Sequence, residues 1–228
     1  MCYPRPVYRI MGDRSLIVEM GDRISREINR RVSTLTLFLE ENPIDGIIDI
    51  VPAYRSILII YEPFRTDARK LKKRIDDMQE EALSIRLPEP ETIEVPVVYG
   101  GKHGPDLELV ARYHKITPEE VIRLHTAPTY HVYMIGFTPG FPYMGELPKS
   151  LDTPRKETPR TAIPQGSVGI AQRQTGIYPV VSPGGWQIIG RCPLSLFNPD
   201  QDPPALLKAG DKVKFLQIEE DGFRHWRK

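Results

Sequence analysis

GFTPGFPYMGELP, residues 136–148, sets three prolines and three glycines among two Phe, a Tyr and a Met. A helix is excluded, because each interior Pro removes a hydrogen bond and clashes with the preceding turn at a cost of about 3 kcal/mol. The stretch is also too apolar for a solvated loop, so it must pack through tight turns and short extended pieces. Pro139-Gly140 fits positions i+1 and i+2 of a type II turn, and Pro142 stiffens the residues after it. A loop fixed in this way loses little entropy on docking. Phe137, Phe141 and Tyr143 therefore suit a ligand wall or a contact with a partner protein; the alternative is that they plug the end of a barrel.

Outward from this stretch, the chain from Tyr130 onward shows no helical periodicity. Tyr130–Ile135, Ser167–Ala171, Trp186–Ile189, Lys212–Ile218 and Phe223–Trp226 are short β-rich runs between Gly/Pro turns, the pattern of a β-barrel or sandwich. Just upstream, Thr117-Pro118-Glu119-Glu120 has the spacing of a capping box with Pro at the first helical position, and a short helix is expected around Leu107–Tyr113. Residues 1–90 hold three of the 17 glycines and seven of the 23 prolines. So uneven a distribution places a domain boundary at Leu87–Glu91, giving domains 1–88 and 89–228. In the first domain, Ser15–Met20 reads as a strand, and Ile24, Ile28, Val32, Leu35 and Leu39 mark an amphipathic helix ending at Asn42-Pro43. Gly46–Val51 and Ser56–Glu62 read as strands, and Leu71, Ile75, Met78 and Ala82 mark a second helix. With Thr92–Val98 as a last strand, the order is that of a ferredoxin-like split βαββαβ unit, an α+β domain. The sequence leaves open whether that strand stays with the first domain or joins the second.

Among 228 residues, 31 Lys+Arg against 30 Asp+Glu leave a formal net charge of +1. This gives no broad electrostatic footprint for nucleic acid or an anionic membrane, so any anion site must be local. No window has the length of a membrane span and the N-terminus lacks a signal-peptide core, so the cytoplasm is the expected compartment. Cys2 and Cys192 are far apart and read as free thiols.

VYMIGFTPGFPYMGELP (132–148), TPRKETPR (153–160), IPQGSVGIA (163–171), QTGIYPVVSPGGWQIIGR (174–191) and AGDKVKF (209–215) together resemble the family of the 5-oxoprolinase B subunits, the KipI protein and the matching half of the urea-carboxylase carboxyltransferase domain. VPAYRSILIIYEP (51–63) and Val95–His125 continue the likeness upstream. Val98 stands where the pattern often has Cys, and Cys192 where it often has Thr. The resemblance implies a mostly-β, cyclophilin-like barrel for the second domain and partnership with C-like and A-like subunits. It implies ATP-dependent opening of 5-oxoproline to glutamate, with ATP bound by the assembled complex. Two other readings come with the family: a KipI-like inhibitor binding a sensor histidine kinase, or a carboxyltransferase subunit acting on urea-derived amides.

The residues themselves suggest where such chemistry would lie. Arg155 and Arg160 each follow a Pro, and a guanidinium fork grips carboxylate or phosphate through paired hydrogen bonds. They are either clamps of that kind or solvated surface charges. Ser182–Gln187 (SPGGWQ) offers the bare amides of Gly184 and Gly185 beside Trp186 and Gln187, with Gln174 and Tyr178 upstream and Arg191 downstream. The plainer alternative is a β-turn with a core Trp. No P-loop or zinc signature occurs, so no metal is expected. His125 and His131 titrate nearest neutrality, yet no acid is placed to orient either, and both read as structural.

Overall fold

The structure is a computed structural model that describes residues 1–226. The chain forms two compact units, Met1–Glu89 and a second beginning at Pro90.

The first unit contains β1 (Cys2–Ile10), β2 (Ser15–Gly21), α1 (Arg26–Glu41), β3 (Ile47–Pro52), β4 (Ser56–Tyr61) and α2 (Ala68–Ser84). Its antiparallel sheet has the order β1-β2-β4-β3. Alternation buries Leu16, Val18, Met20, Ile57, Ile59 and Tyr61 in one core with Ile28, Val32, Leu35 and Leu39 of α1 and Leu71, Ile75, Met78 and Ala82 of α2. Both helices start where side chains satisfy orphan amides: Ser25 Oγ accepts from Ile28 N–H, and Asp67 accepts from Arg69 and Lys70 N–H. Ile24, just before that first cap, is exposed and does not join the buried face.

The order of elements corrects the βαββαβ expectation. The last strand of that unit, β5 (Thr92–Tyr99), is a barrel strand, and the fourth place in the sheet is filled from the N-terminus by β1. This domain is therefore ββαββα in chain order. Pro4 and Pro6 disguise β1 in the sequence; a prolyl residue is tolerated because β1 is an edge strand whose register shifts between Cys2 and Val7.

The second unit adds α3 (Leu107–His114), α4 (Pro118–Thr126), β6 (Tyr130–Ile135), β7 (Pro142–Gly145), β8 (Arg160–Ile163), β9 (Ser167–Ala171), β10 (Gln174–Ile177), β11 (Ser182–Gly184), β12 (Gln187–Arg191), β13 (Lys212–Gln217) and α5 (Glu220–His225). Seven strands close a barrel in the order β10-β7-β6-β13-β5-β12-β9, while β8 and β11 make a separate two-stranded sheet. β5 and β13 run parallel, Thr92 opposite Lys212 through Val97 opposite Gln217. The barrel core joins Val95, Val97, Tyr130, Val132, Ile170, Val213 and Phe215 to Val110 and Val121 of the two helices. At α4, Thr117 Oγ1 accepts from Glu120 N–H as its spacing predicts, but the Glu120 carboxylate pairs with Arg123. Phe223–Trp226, expected as a strand, lies largely in α5. Both cysteines are free thiols, and burial pushes that of Cys192 up to about 12, which leaves it inert near neutrality.

Candidate functional site

Phe141 N–H bonds Thr138 O at 3.0 Å and Gly140 has φ +78°, so Pro139-Gly140 forms the expected type II turn. Glycine is required there for a second reason, since a Cβ on Gly140 would stand 2.8 Å from Phe197 Cβ. One residue earlier the chain is strained. Thr138 N–H bonds Gly136 O at 2.8 Å, closing a γ-turn about Phe137, whose φ of +64° is unfavourable for a residue with a Cβ.

The aromatic residues of this loop separate. Phe137 is 59% exposed, whereas Phe141 is buried, correcting the expectation that the loop presents all three. Phe141 is the hub of a packed cluster: its ring lies 4.8 Å from Tyr143, 5.1 Å from Tyr178 and 5.6 Å from Trp186, the last two edge-on. Ile163 from β8, Ala171 from β9 and Ile188 from β12 complete the cluster. Tyr178 Oη accepts a hydrogen bond from the backbone N–H of Trp186, and no acceptor among the described contacts takes its proton. Burial raises its pKa to about 12, so the hydroxyl stays protonated and can donate. Gly184 makes room for it, because a Cβ at 184 would come within 2.4 Å of Tyr178 Oη. Gly185 has no such constraint; a Cβ there meets nothing nearer than 3.6 Å, and neither glycine adopts the left-handed backbone of an anion nest.

Beside this cluster lies a polar group absent from the sequence-derived candidates. Asp106 precedes α3 but its carboxylate makes no cap bond to that helix. One oxygen accepts from Arg160 Nη2 at 2.7 Å and lies 3.4 Å from Lys156 Nζ, and the other accepts from Ile188 N–H at 2.7 Å. Asp106 N–H in turn donates to Ile188 O at 2.9 Å, so the acid is locked to β12 through both backbone and side chain. Burial acts to raise its pKa, but Arg160 and the Ile188 amide prevail and hold the carboxyl below its ordinary range. Arg160 is thus neither a fully solvated surface charge nor a free clamp: one half of its fork is taken by Asp106, and Nη1 is buried without a partner.

Gln187, 4% exposed, donates through Nε2 to Pro154 O at 3.0 Å, while its Oε1 is unpartnered. Ser182 Oγ, on β11 beside β8, is unpartnered as well. The segment carrying Arg155 and Lys156 lies along this strand, with Lys156 N–H bonded to Gly185 O at 2.7 Å. Arg155 itself is exposed on an open pocket of about 600 Å³ that it shares with Tyr113, Lys149, Asp152, Pro154 and Gln172. Its charge reaches Tyr143 and Tyr178. Gln174 opens β10 between Gly145 and Ala171. Arg191 is engaged elsewhere, donating to Gln165 O at 2.7 Å and lying over the Phe223 ring, so it is not a ligand group of this cluster. Arg155, Arg160, Phe141, Tyr143, Tyr178, Gly184, Trp186 and Gln187 are the sequence candidates that the fold brings together. Asp106 and Lys156 were missed; the available signal was an acid directly after Gly104-Pro105 in the glycine-rich turn that begins the helix.

Among the described residues no group of His, Cys, Asp and Glu could hold a metal ion. His125, completely buried, bonds Tyr99 Oη through Nδ1 at 2.8 Å and Thr175 Oγ1 through Nε2 at 3.0 Å. Thr175 spends its own hydrogen on Gly169 O, so Nε2 carries the imidazole proton and Tyr99 donates to Nδ1. It is a satisfied core histidine within the barrel.

A closed seven-strand barrel with an aromatic cluster and a buried acid–guanidinium pair defines the class, and the chain belongs to the family of the carboxyltransferase domain, subdomains C and D, whose pattern matches residues 6–207. Within that family it is 41% identical over 231 residues to the 5-oxoprolinase B subunit of Bacillus subtilis, covering 95% of each chain. The solved structure of TTHA0988 superposes with a TM-score of 0.80 at 38% identity over 90% of this chain, which spans only 40% of that longer one. Urea amidolyase of Kluyveromyces lactis shares the fold, with a TM-score of 0.78 at 21% identity over 98% of this chain and 16% of its own.

Proposed function

We propose that this chain is the B-type subunit of an ATP-dependent 5-oxoprolinase, opening 5-oxoproline to glutamate together with C-type and A-type subunits. The observation that carries the reading is 41% identity along 95% of both chains to a protein of that name. The chemistry of the site agrees with it. 5-Oxoproline carries a carboxylate and a lactam; Arg155 and Lys149 on the open pocket suit the carboxylate or a phosphate of ATP, and the charge of Arg155 reaches the buried, protonated Tyr178. An amide is a poor electrophile, so phosphoryl transfer from ATP to the lactam oxygen, releasing ADP, would activate the ring carbon for attack by water; the tetrahedral adduct then breaks the ring C–N bond, the nitrogen taking up a proton, to give a γ-glutamyl phosphate, which a second water hydrolyses to glutamate and phosphate. ATP is a substrate in this scheme, and the C-type partner completes its site. The barrel is taken as cyclophilin-like, and the two free thiols fit a reducing cytoplasm.

The test is 5-oxoproline-dependent ATP hydrolysis by the chain co-expressed with its C-type and A-type partners. Coupled turnover is expected, and Arg155→Lys, which keeps the charge but loses the fork, should lower it roughly ten- to a hundredfold with an unchanged thermal melt. An assembly that hydrolyses no ATP in response to 5-oxoproline would sink the reading; full activity in the Lys variant would remove only Arg155 from it.

We also read the units as domains that meet at an exposed Pro-rich joint, Leu87–Glu91. Limited proteolysis should nick there first, and an early cut inside residues 15–83 would contradict that.

A further inference from the structure

One buried threonine ties together three segments that lie apart in the sequence. Thr153, 1% exposed, donates through Oγ1 to Leu151 O at 2.9 Å and so accepts there from His114 Nε2 at 3.0 Å, while its carbonyl accepts from Gln172 N–H at 2.6 Å. It therefore joins the end of α3, the segment from Lys149 to Arg155 and the hairpin between β9 and β10. The open pocket of about 600 Å³ is walled by these same three segments: Tyr113 from the first, Lys149, Asp152, Pro154 and Arg155 from the second, and Gln172 from the hairpin tip. Gln172 holds a φ of +52°, which is unfavourable for a residue with a Cβ and persists only where the surroundings over-determine it. The frame is thus fixed, whereas the groups it carries are not engaged. Among the described residues the side chains of Lys149, Arg155 and Gln172 make no hydrogen bond or ion pair, and the ring of Tyr113, set edge-on against His114 at 4.9 Å, is 56% exposed.

We propose that this pocket is the nucleotide subsite of the chain, with Tyr113 stacking on the base of ATP, Arg155 and Lys149 holding its phosphates and Asp152 accepting from the ribose hydroxyls. The proposal rests on the ATP-dependent reading above and deepens it. A formal net charge of +1 gives the chain no general pull on anions, so two unpaired cations at one opening are a local feature. Pockets of roughly 300–1,000 Å³ suit ligands of nucleotide size, whereas 5-oxoproline, one small ring with a carboxylate, would leave most of this one empty. A bare phosphate would leave the exposed Tyr113 ring unused, but a base covers it, since every base has a π-face to stack. The Gln172 amide lines the same opening and can both donate and accept, which suits the edge of a base. The phosphates belong toward Arg155 because its charge is the part of the pocket that reaches Tyr143 and Tyr178 of the aromatic cluster. The lining residues are all exposed, so no segment has to move to admit the ligand.

Two ligands separate the base from the phosphates: β,γ-imido-ATP, which cannot transfer its phosphoryl group, and tripolyphosphate, which has the charges but no base. Calorimetric titration of the complex with its C-type and A-type partners should show the analogue bound roughly tenfold tighter than tripolyphosphate, or better. Tyr113→Ala should weaken the analogue roughly tenfold and leave tripolyphosphate unchanged, Tyr113→Phe should change neither, and Arg155→Met should weaken both. An Ala variant that binds the analogue as wild type does, a loss shared equally by tripolyphosphate, or an Arg155→Met variant that binds both as before overturns the assignment. If the Ala variant does not fold, Tyr113→Leu decides, since it keeps an apolar side chain without the flat ring and must weaken the analogue alone. A wild-type complex that ignores 5-oxoproline but binds the analogue through Tyr113 overturns the functional reading and leaves the pocket assignment standing, whereas 5-oxoproline-dependent turnover with binding indifferent to Tyr113 removes the assignment alone.

Discussion

Replacing Asp106 with Ala should lower stability by about 3 kcal/mol and cut turnover of the assembled complex at least tenfold. Removing one partner from a buried ion pair strands the other charge, and the usual cost is about 3–5 kcal/mol. The lower end applies because Arg160 keeps 27% of its side chain in contact with solvent and Lys156 keeps 24%, so part of the stranded charge can be hydrated. Ala also leaves the Ile188 amide without the carboxylate it now bonds. Activity falls for a different reason: Arg160 loses the contact that fixes its direction, and a guanidinium free to rotate no longer holds Nη1 in place. Urea unfolding of the Ala variant, of Arg160→Met and of the double variant separates these effects. The double variant should be less destabilised than the two single losses added together, since the Arg160–Asp106 pair then leaves neither of its own charges stranded and only the looser Lys156 contact is lost. Additive losses, or a single loss under about 1 kcal/mol, would mean that the pair behaves like an exposed surface bridge and cannot organise a site. The sign of the pH effect follows from the depressed carboxyl: its contribution is complete above the ordinary carboxylate pKa of about 3.9 and is lost as pH falls below it.

The parts of this molecule that were legible in the sequence are those in which one short segment carries its own pattern. α1 and α2 repeat apolar residues at helical spacing for four turns, and all of Ile28, Val32, Leu35, Leu39, Leu71, Ile75, Met78 and Ala82 are buried. The type II turn at Pro139-Gly140 is equally local, because its chemistry is contained in two residues. β7, β8, β10 and β11 have only three or four residues each, too few for an alternation to emerge, and they become strands only because neighbours supply their hydrogen bonds. β5 shows the same limit at the level of topology. Its residues announce a strand, but its place beside β13, 120 residues on in the register that pairs Thr92 with Lys212, is decided by barrel closure. The site divides in the same way. Proline-flanked arginines and the Gly-Gly-Trp turn stand out as chemistry, whereas the acid that occupies Arg160 lies 54 residues upstream and has no local mark beyond its position before a helix. Arg191 misled for the complementary reason: it is close in sequence to Trp186 and Gln187, yet its guanidinium is taken up by Gln165 O and the Phe223 ring.

The barrel carries its own acid sensitivity in His125, and this should be visible above the pH at which the carboxylates held low by their partners titrate. Complete burial depresses the imidazole pKa to about 3, against about 6.5 in an unfolded chain. Its surroundings provide nothing to compensate a charge: Tyr99 and Thr175 bond its two nitrogens, Tyr130 donates to its carbonyl, and Phe215 lies against the ring at 4.5 Å. Below pH 6.5 the unfolded chain therefore binds a proton that the folded chain refuses, so stability falls as pH falls. Each unit costs about 1.4 kcal/mol, and on the order of 2.5 kcal/mol should disappear between pH 6.5 and 4.5. Carboxylates held low by their partners, Asp106 and Asp67 among them, lose their contributions only below about pH 4. His114, also depressed by burial, adds a slope of the same sign, but it does so equally in a variant that lacks only His125. His125→Gln supplies that comparison, since an amide can still bond Tyr99 and Thr175 while carrying no titrating group. Urea midpoints at pH 7.5, 6.5, 5.5 and 4.5 should show the variant somewhat less stable than the parent at the highest pH, with the two curves converging or crossing on acidification. Parallel curves across that window would show that His125 is protonated inside the barrel, and the neutral Tyr99–His125–Thr175 arrangement would be wrong.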